Sequence, residues 1–291
     1  MNLASHNYGK QRVRVMKVLR SVSAQGSAAG TGIGSHQVKE LEVGVRLEGD
    51  FGAALISADN SVVVATDTVK NTVQVLAHRH LGAETEPFAA LVARHFLDKY
   101  EQIVRVTVEV RERAWRRMSF DGRPHEHSFA GEGHTPVVRV VDRKRGARLI
   151  ESGVEELLIL KSTGSGFAGF PRDEYTTLPE TKDRILATIL NARWRWAELP
   201  GDTSVQNARI LDAMLRLFAD RYSPSVQATM WDMAQAAFDA CGLIDEITLA
   251  LPNKHYLPAN LTPFGIDATG VSFVPTDEPH GQIEATMVRG R

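Results

Sequence analysis

The stretch "VKELEVGVRLEGDF", Val38 to Phe51, alternates without a break: Leu41, Val43, Val45 and Leu47 fall on one face, Glu40, Glu42 and Arg46 on the other. A period of two marks a strand with one buried and one wet face. Upstream, "QRVRVMKV" sets Val13 and Val15 against charged neighbours, which predicts a partner strand. Between the two lies "SVSAQGSAAGTGIGSH", Ser21 to His36, too rich in Gly, Ser and Ala to pack, and expected to be a flexible loop. The pair reads as an antiparallel hairpin with a long tip.

Downstream, "VVVATDTVKNTVQVLAHRH" (Val62 to His80) passes from an apolar run into Val69, Val73 and Leu76 at helical spacing. A second helix, "TEPFAALVARHFLDKY", has Thr85 as cap, Pro87 in its first turn, and Phe88, Leu91, Val92, His95 and Phe96 as a stripe. "IVRVTVEVRERAW", with Val104, Val106, Val108 and Val110 on one face, and "HSFAGEGHTPVVRVV" then predict a second hairpin. The later half repeats this order. Strand-like "EELLILKST" and "RILATILNARWRW" precede a helix from about Ser204 to Arg221 and another starting near Ser223 to Ser225; "IDEITLALP" and "VSFVPTD" to "GQIEATMVR" close the chain. The expectation is an α+β fold of two β-β-α-α-β-β units with antiparallel sheets, one over residues 1–145 (with the loop 21–36) and one over 146–291. Each unit would leave open sheet edges, and closing them with further copies into a barrel predicts an oligomer.

The 291 residues carry a net charge of -1, which gives no sign of nucleic-acid or acidic-membrane binding. A single cysteine, Cys241, excludes an intrachain disulfide and a Cys-based zinc site. No apolar run approaches membrane-spanning length, and the final "VRGR" is no receptor-read tail, so a cytoplasmic protein is expected.

Several segments carry chemistry. At "ATDTVK", Thr66 and Asp67 either cap the helix or stand at an open helix start whose donors and positive dipole end attract an anion. "SPSVQATM" mirrors this stretch, with Ser225, the Val226 amide and Gln227 at another helix start; Gln227 is either solvent-facing or a partner for a heterocycle's edge. Asn253, Lys254 and His255 in "LPNKHYLP" follow a strand end, as a plain turn or as a proton-carrying group. Phe167 is either a core anchor or a stacking plate, and Arg184 either a fork for a planar polar ligand or half of a salt bridge with Asp183 or Glu180. His125, His127 and His134 cluster in "RPHEHSFAGEGH" as strand residues or metal ligands. Lys10, after Gly9, is a surface lysine or a neutral proton acceptor. No phosphate-loop pattern is present.

Taken together, "YGK", "VVATDTVKNTV", "PHEHSF", the run from "LKSTGSGFAGFPRDEYTTLPET" to "DRILAT", "SVQATM" and "LPNKHY", in that order, resemble the uricases. The resemblance implies a tandem T-fold, four subunits stacked into a tunnel-shaped barrel, and active sites between subunits, with Thr66 and Asp67 from one chain and the other site residues from its neighbour. It implies cofactor-independent oxidation of urate by O2 and water to 5-hydroxyisourate and hydrogen peroxide, with no metal. Phe167 would stack on the purine, Arg184 grip one end, Gln227 and the Val226 amide bind the opposite edge, and Asn253 hold water or dioxygen above the ring. Lys10, Thr66 and His255 would form the proton relay. The segment 21–36 is longer than the family leads one to expect, Gln74 replaces an expected aromatic, and the lack of a peroxisomal tail implies a bacterial member. A zinc- or carboxylate-based T-fold cyclohydrolase is the competing reading; Arg184 and Gln227 stand where its carboxylate logic would fail. A non-catalytic purine binder should lack Lys10 or Thr66.

Overall fold

A computed structural model describes residues 3–20, 36–267 and 270–290 of the protein. The expected loop 21–36, apart from His36, lies outside the described residues. The chain divides into two compact units, residues 1–153 with 201–204, and 154–200 with 205–291.

In the first unit, strands β1 (Tyr8–Arg20), β2 (His36–Gly49), β3 (Ile103–Glu112) and β6 (Thr135–Arg143) form an antiparallel ladder in the order β1-β2-β3-β6. Leu41, Val43, Val45 and Leu47 are all at or below 1% exposure, so the period-two reading fixes the buried face. Each such side chain taken out of water contributes about 1.5–3 kcal/mol before the chain's entropy is set against it. On that face lie α2 (Thr66–His80), which buries Val69, Val73 and Ala77, and α3 (Thr85–Lys99), which buries Phe88, Val92 and Phe96. A short α1 (Gly52–Ile56) follows β2. Leu91, expected in the α3 stripe, points outward at 36% exposure.

Two further expectations change. Val104 is exposed while Ile103 is buried, because the register shifts between Glu48 and Gly49, and Gly49 comes opposite Ile103. Nor does "HSFAG" return beside β3. It belongs to a separate two-stranded ribbon, β4 (Trp115–Phe120) with β5 (Arg123–Gly131), and the returning strand is β6.

The second unit is built from β7 (Leu149–Lys161, its residues from Val154), β8 (Leu186–Trp196), α4 (Thr203–Asp220, its residues from Val205, the first two grouping with the first unit), α5 (Val226–Ala240), β9 (Ile244–Ala250), β10 (Asn253–Pro258), β11 (Phe273–Gly281) and β12 (Glu284–Val288). Its ladder runs β7-β8-β9-β12, and the ribbon β10-β11 joins the edge of β8 through Asn253 and Lys254. Ile210, Met214, Phe218, Met230, Met233 and Ala237 supply the apolar faces of the two helices.

The repeat extends to fine detail. β1 and β7 each contain one non-glycine residue in the left-handed region, Arg12 (φ 58°) and Glu156 (φ 65°). Five residues after each stands a lysine that closes a helix C-terminus: Lys17 Nζ donates to the Ala77 and His78 carbonyls of α2, and Lys161 Nζ to the Phe218 carbonyl of α4 and that of Arg221 beyond it. A cation on orphan carbonyls at the negative end of a helix is favourable twice over. Burial pulls the Lys161 ammonium below its ordinary value, with Asp220 opposing.

Candidate active site

In the first unit, the site residues hang on the end of β1. Gly9 permits a close approach: a Cβ there would lie 1.9 Å from the Val45 carbonyl oxygen, so no other residue fits without moving backbone. Lys10 pairs with Val45 immediately before the register shift that contains Arg12. Tyr8 packs edge-on against Phe51, ring centroids 4.8 Å apart, and its hydroxyl accepts the Val64 N–H at 2.8 Å. That bond ties β1 to the backbone two residues ahead of Thr66. Burial pushes the Tyr8 phenol up, with the Val64 bond opposing.

Capping is not what Thr66 and Asp67 do. The N-cap is Ala65, which has no side-chain acceptor, and Thr66, Asp67 and Thr68 are exposed. Asp67 instead takes the Lys70 ammonium at 2.5 Å and the Asn71 amide at 3.0 Å. Lys70 holds its carboxyl below the usual range, and the charge of Lys10 helps. The first-turn amides of α2 are thus left without a side-chain cap. Within the chain, the charge of Lys10 therefore acts on the start of α2 through Asp67.

In the second unit, three short backbone bridges assemble Phe167, Arg184 and the start of α5. Gly166 N–H donates to Ser223 C=O (2.8 Å), and Ser223 N–H to Gly164 C=O (2.9 Å). Phe167 and Thr181 exchange N–H to C=O bonds of 2.8 and 3.0 Å, and Arg184 N–H donates to Ser165 C=O at 2.8 Å. Phe167 is stacked on Phe170, centroids 4.9 Å apart and 11° off parallel, and the Arg184 guanidinium lies 5.4 Å from its ring centroid. Neither carboxylate expected to pair with Arg184 does so. Asp183 is occupied by the Thr163 hydroxyl and the Gly164 N–H, which hold it below the usual range, and Glu180 accepts the Gly169 N–H. Arg184 Nε and Ser165 Oγ are buried without a hydrogen-bond partner among the described residues. Burial pulls the guanidinium below its ordinary value. A buried donor left unpaired costs about 1–3 kcal/mol, more for a charged group, and a planar polar ligand would relieve it.

Ser225 does cap α5, accepting the Ala228 N–H at 3.1 Å. Val226 follows as the first helical residue, where an amide has no intrahelical acceptor, and Gln227 is exposed. Asn253 is held on both sides, by Thr188 of β8 and Gly281 of β11. His255 follows a register shift, and its carbonyl accepts the Thr276 hydroxyl at 3.0 Å. Among the described residues no hydrogen bond joins Asn253 or His255 to Phe167, Arg184 or Gln227.

The helix start at α5 is not the counterpart of the one at α2. By order in the repeat, α5 answers α3 and α4 answers α2. His125 and His127 stand on β5, rings 4.7 Å apart, beside a surface cleft of about 340 Å³, whereas His134 lies past the ribbon, just before β6. Among the described residues no three His, Cys, Asp or Glu side chains gather as a metal site. Cys241 is buried at the C-terminus of α5. Sequence reasoning alone misses Tyr8, Gly9, Gly166 and Tyr222; "YGK" and "GSGF" contain the only signal.

Two antiparallel-sheet units with paired helices define an α+β protein; the first carries an uncapped helix start at α2, the second an aromatic plate beside a guanidinium whose Nε is unpaired among the described residues. The uricase family model matches twice, over residues 6–140 and 150–284, at the interval that separates Arg12 from Glu156 and Lys17 from Lys161. Uricase of Arthrobacter globiformis is 38% identical over 287 residues, covering 99% of this chain and 90% of its own. Uricase of Emericella nidulans is 37% identical over 303 residues, with 99% and 97% covered. The crystal structure of the Arthrobacter globiformis uricase superposes with a TM-score of 0.88 at 37% identity, covering 99% of this chain and 95% of that one. The chain belongs to the uricase family, and its activity is that of a urate oxidase, an oxidoreductase. No helix among the described residues is long and apolar enough to cross a membrane.

Proposed function

We propose that the protein oxidises urate with O2 and water to 5-hydroxyisourate and hydrogen peroxide, with no cofactor, through a Lys10–Thr66–His255 proton relay. The observation that carries the binding half is the buried, unpaired Nε of Arg184 beside the Phe167 ring, with both nearby carboxylates engaged elsewhere. Phe167 stacks on the purine and Arg184 grips one end. Gln227 and the Val226 amide take the opposite edge, and Asn253 keeps water or dioxygen above the ring plane.

Urate is electron-rich. Once deprotonated it can pass an electron to O2 directly, so the protein's task is to flatten and orient the ring and to move protons. Lys10, acting through Thr66, removes the proton, and His255 carries it onward. The uncapped first turn of α2 favours the anion that remains. One oxygen enters at C5 from water, and dioxygen leaves as peroxide with two electrons and two protons.

The two units are tandem T-folds. Four copies stack into a barrel that closes the sheet edges, and each active site lies between subunits, Thr66 and Asp67 facing the ring held by a neighbour's Phe167 and Arg184. The protein works in the cytoplasm of a bacterium. Chelator-treated protein mixed with urate in air tests the chemistry: loss of urate absorbance and appearance of peroxide should match one to one. Persistence of bound but unreacted urate overturns the mechanism.

A further inference from the structure

Tyr222 stands just before the bridge that joins α5 to the Phe167 segment, and the proposed chemistry makes no use of it. Its hydroxyl donates to the Lys182 carbonyl at 2.9 Å, two residues ahead of Arg184. The same oxygen fills the space above Gly166, the residue before Phe167: a Cβ at position 166 would lie 2.2 Å from it. That Cβ would also lie 2.9 Å from the Thr181 carbonyl oxygen, so the absence of a side chain at 166 is what lets the phenol tip enter between the two strands. One phenol therefore touches both the segment that presents the ring plate and the segment that presents the guanidinium.

We propose that Tyr222 is a positioning residue for urate recognition, fixing the spacing between Phe167 and Arg184 by clamping the Gly166 and Lys182 backbones. This rests on the assignment of Phe167 and Arg184 to the substrate. The backbone bridges of residues 164–167 with 181–184 and 223 set the frame, but they leave the guanidinium's approach to the ring dependent on where the 182–184 backbone rests. The phenol fixes that last degree of freedom. It touches no reacting atom, so its effect should fall on binding and not on the chemical step.

The test measures kcat, KM for urate and the Kd of xanthine, a purine that lacks urate's C8 oxygen, in Tyr222→Phe, Arg184→Ala and the double variant. Tyr222→Phe keeps the ring and loses the bond to Lys182. It should raise KM and the xanthine Kd by about three- to tenfold, the range of one neutral hydrogen bond, with kcat within about twofold of the parent. In the Arg184→Ala background the same substitution should change the xanthine Kd by less than twofold, because the group being positioned is gone. A merely structural role would lower kcat with KM, or act equally in both backgrounds, and either result overturns the proposal. An unchanged xanthine Kd in Tyr222→Phe overturns it as well. If Arg184→Ala alone leaves xanthine binding intact, it is the substrate assignment itself that has failed, and the two failures are thereby told apart. Tyr222→Leu, which keeps bulk without a hydroxyl, guards against attributing the effect to a peculiarity of phenylalanine and should match Tyr222→Phe within about threefold in KM.

Discussion

Each unit of the chain carries a pair of helices, and the two units expose opposite members. In the first, the start of the leading helix α2 is open, while the start of α3 is buried: Thr85 is 4% and Glu86 2% exposed. The Glu86 carboxylate accepts the Ser152 hydroxyl at 2.6 Å and the Thr203 hydroxyl at 2.7 Å. In the second the order is reversed. The start of the leading helix α4 is closed by Glu84, which accepts the Ser204 N–H at 2.6 Å and its hydroxyl at 2.8 Å, while α5 presents Gln227 to the surface. A helix start has orphan donors either way. At α4 the Glu84 carboxylate takes one of them and at α5 the Ser225 hydroxyl does; α3 has no side-chain cap but its start is buried. Of the four starts, that of α2 is both exposed and uncapped.

The sharpest way to break this contrast is to remove the proton acceptor from the first unit and the grip from the second. Lys10→Met should lower kcat by ~10²–10⁴-fold, the usual worth of a proton-transfer partner, while xanthine still binds in a calorimetric titration. Unchanged kcat would remove Lys10 from the mechanism. Arg184→Ala should act the other way round, weakening xanthine by about 10- to 100-fold through the loss of a charge-assisted bond. Were both variants to shift kcat and binding alike, the assignment of proton abstraction to Lys10 and of grip to Arg184 would be wrong.

How much of this was legible in sequence follows from the range of the interactions. Alternation over Val38–Leu47 fixed β2, because a period of two leaves one face to bury. It misled at Ile103 and Val104, where a register shift opposite Gly49 turns the strand, a feature set by the neighbouring strand and absent from the local pattern. Thr66 and Asp67 have the right types for capping, yet the helix already begins at Thr66, so the cap position falls on Ala65 and Asp67 bonds Lys70 and Asn71 instead. For Arg184, nearby carboxylates in sequence suggested a salt bridge. Only the fold shows that Thr163 and Gly164 have taken Asp183. Resemblance to a family included Tyr8 and Gly9 in "YGK" without giving them a role and did not point to Tyr222; all three act on backbone through contacts distant in sequence.

A smaller effect sharpens the scaffold side. Glu84→Ala should uncap α4 and cost about 0.5–2 kcal/mol, lowering Tm by roughly 2–4 °C per kcal/mol in a chain of this size. KM for urate should stay the same. A rise in KM without a change in Tm would mean that the closed start of α4 belongs to the site after all.

The smallest change is also the one that tells an open start from a positioned one. Tyr8→Phe deletes the acceptor of the Val64 N–H and should cost about 0.5–1.5 kcal/mol, with kcat falling more than KM because Thr66 follows Val64 by two residues. The pH dependence gives the sign. Burial raises the folded-state phenol above its ordinary value near 10. Neutral Tyr8 therefore contributes stability that is whole below about pH 10 and is lost as pH rises through the folded value. The phenylalanine variant has no such limb, so the stability gap between the two proteins, read from urea midpoints, should narrow above about pH 10. A gap that stays constant from pH 8 to 11 would mean that the half-buried phenol is not what fixes Val64, and the start of α2 would then owe its place to the packing of Val69 and Val73 alone.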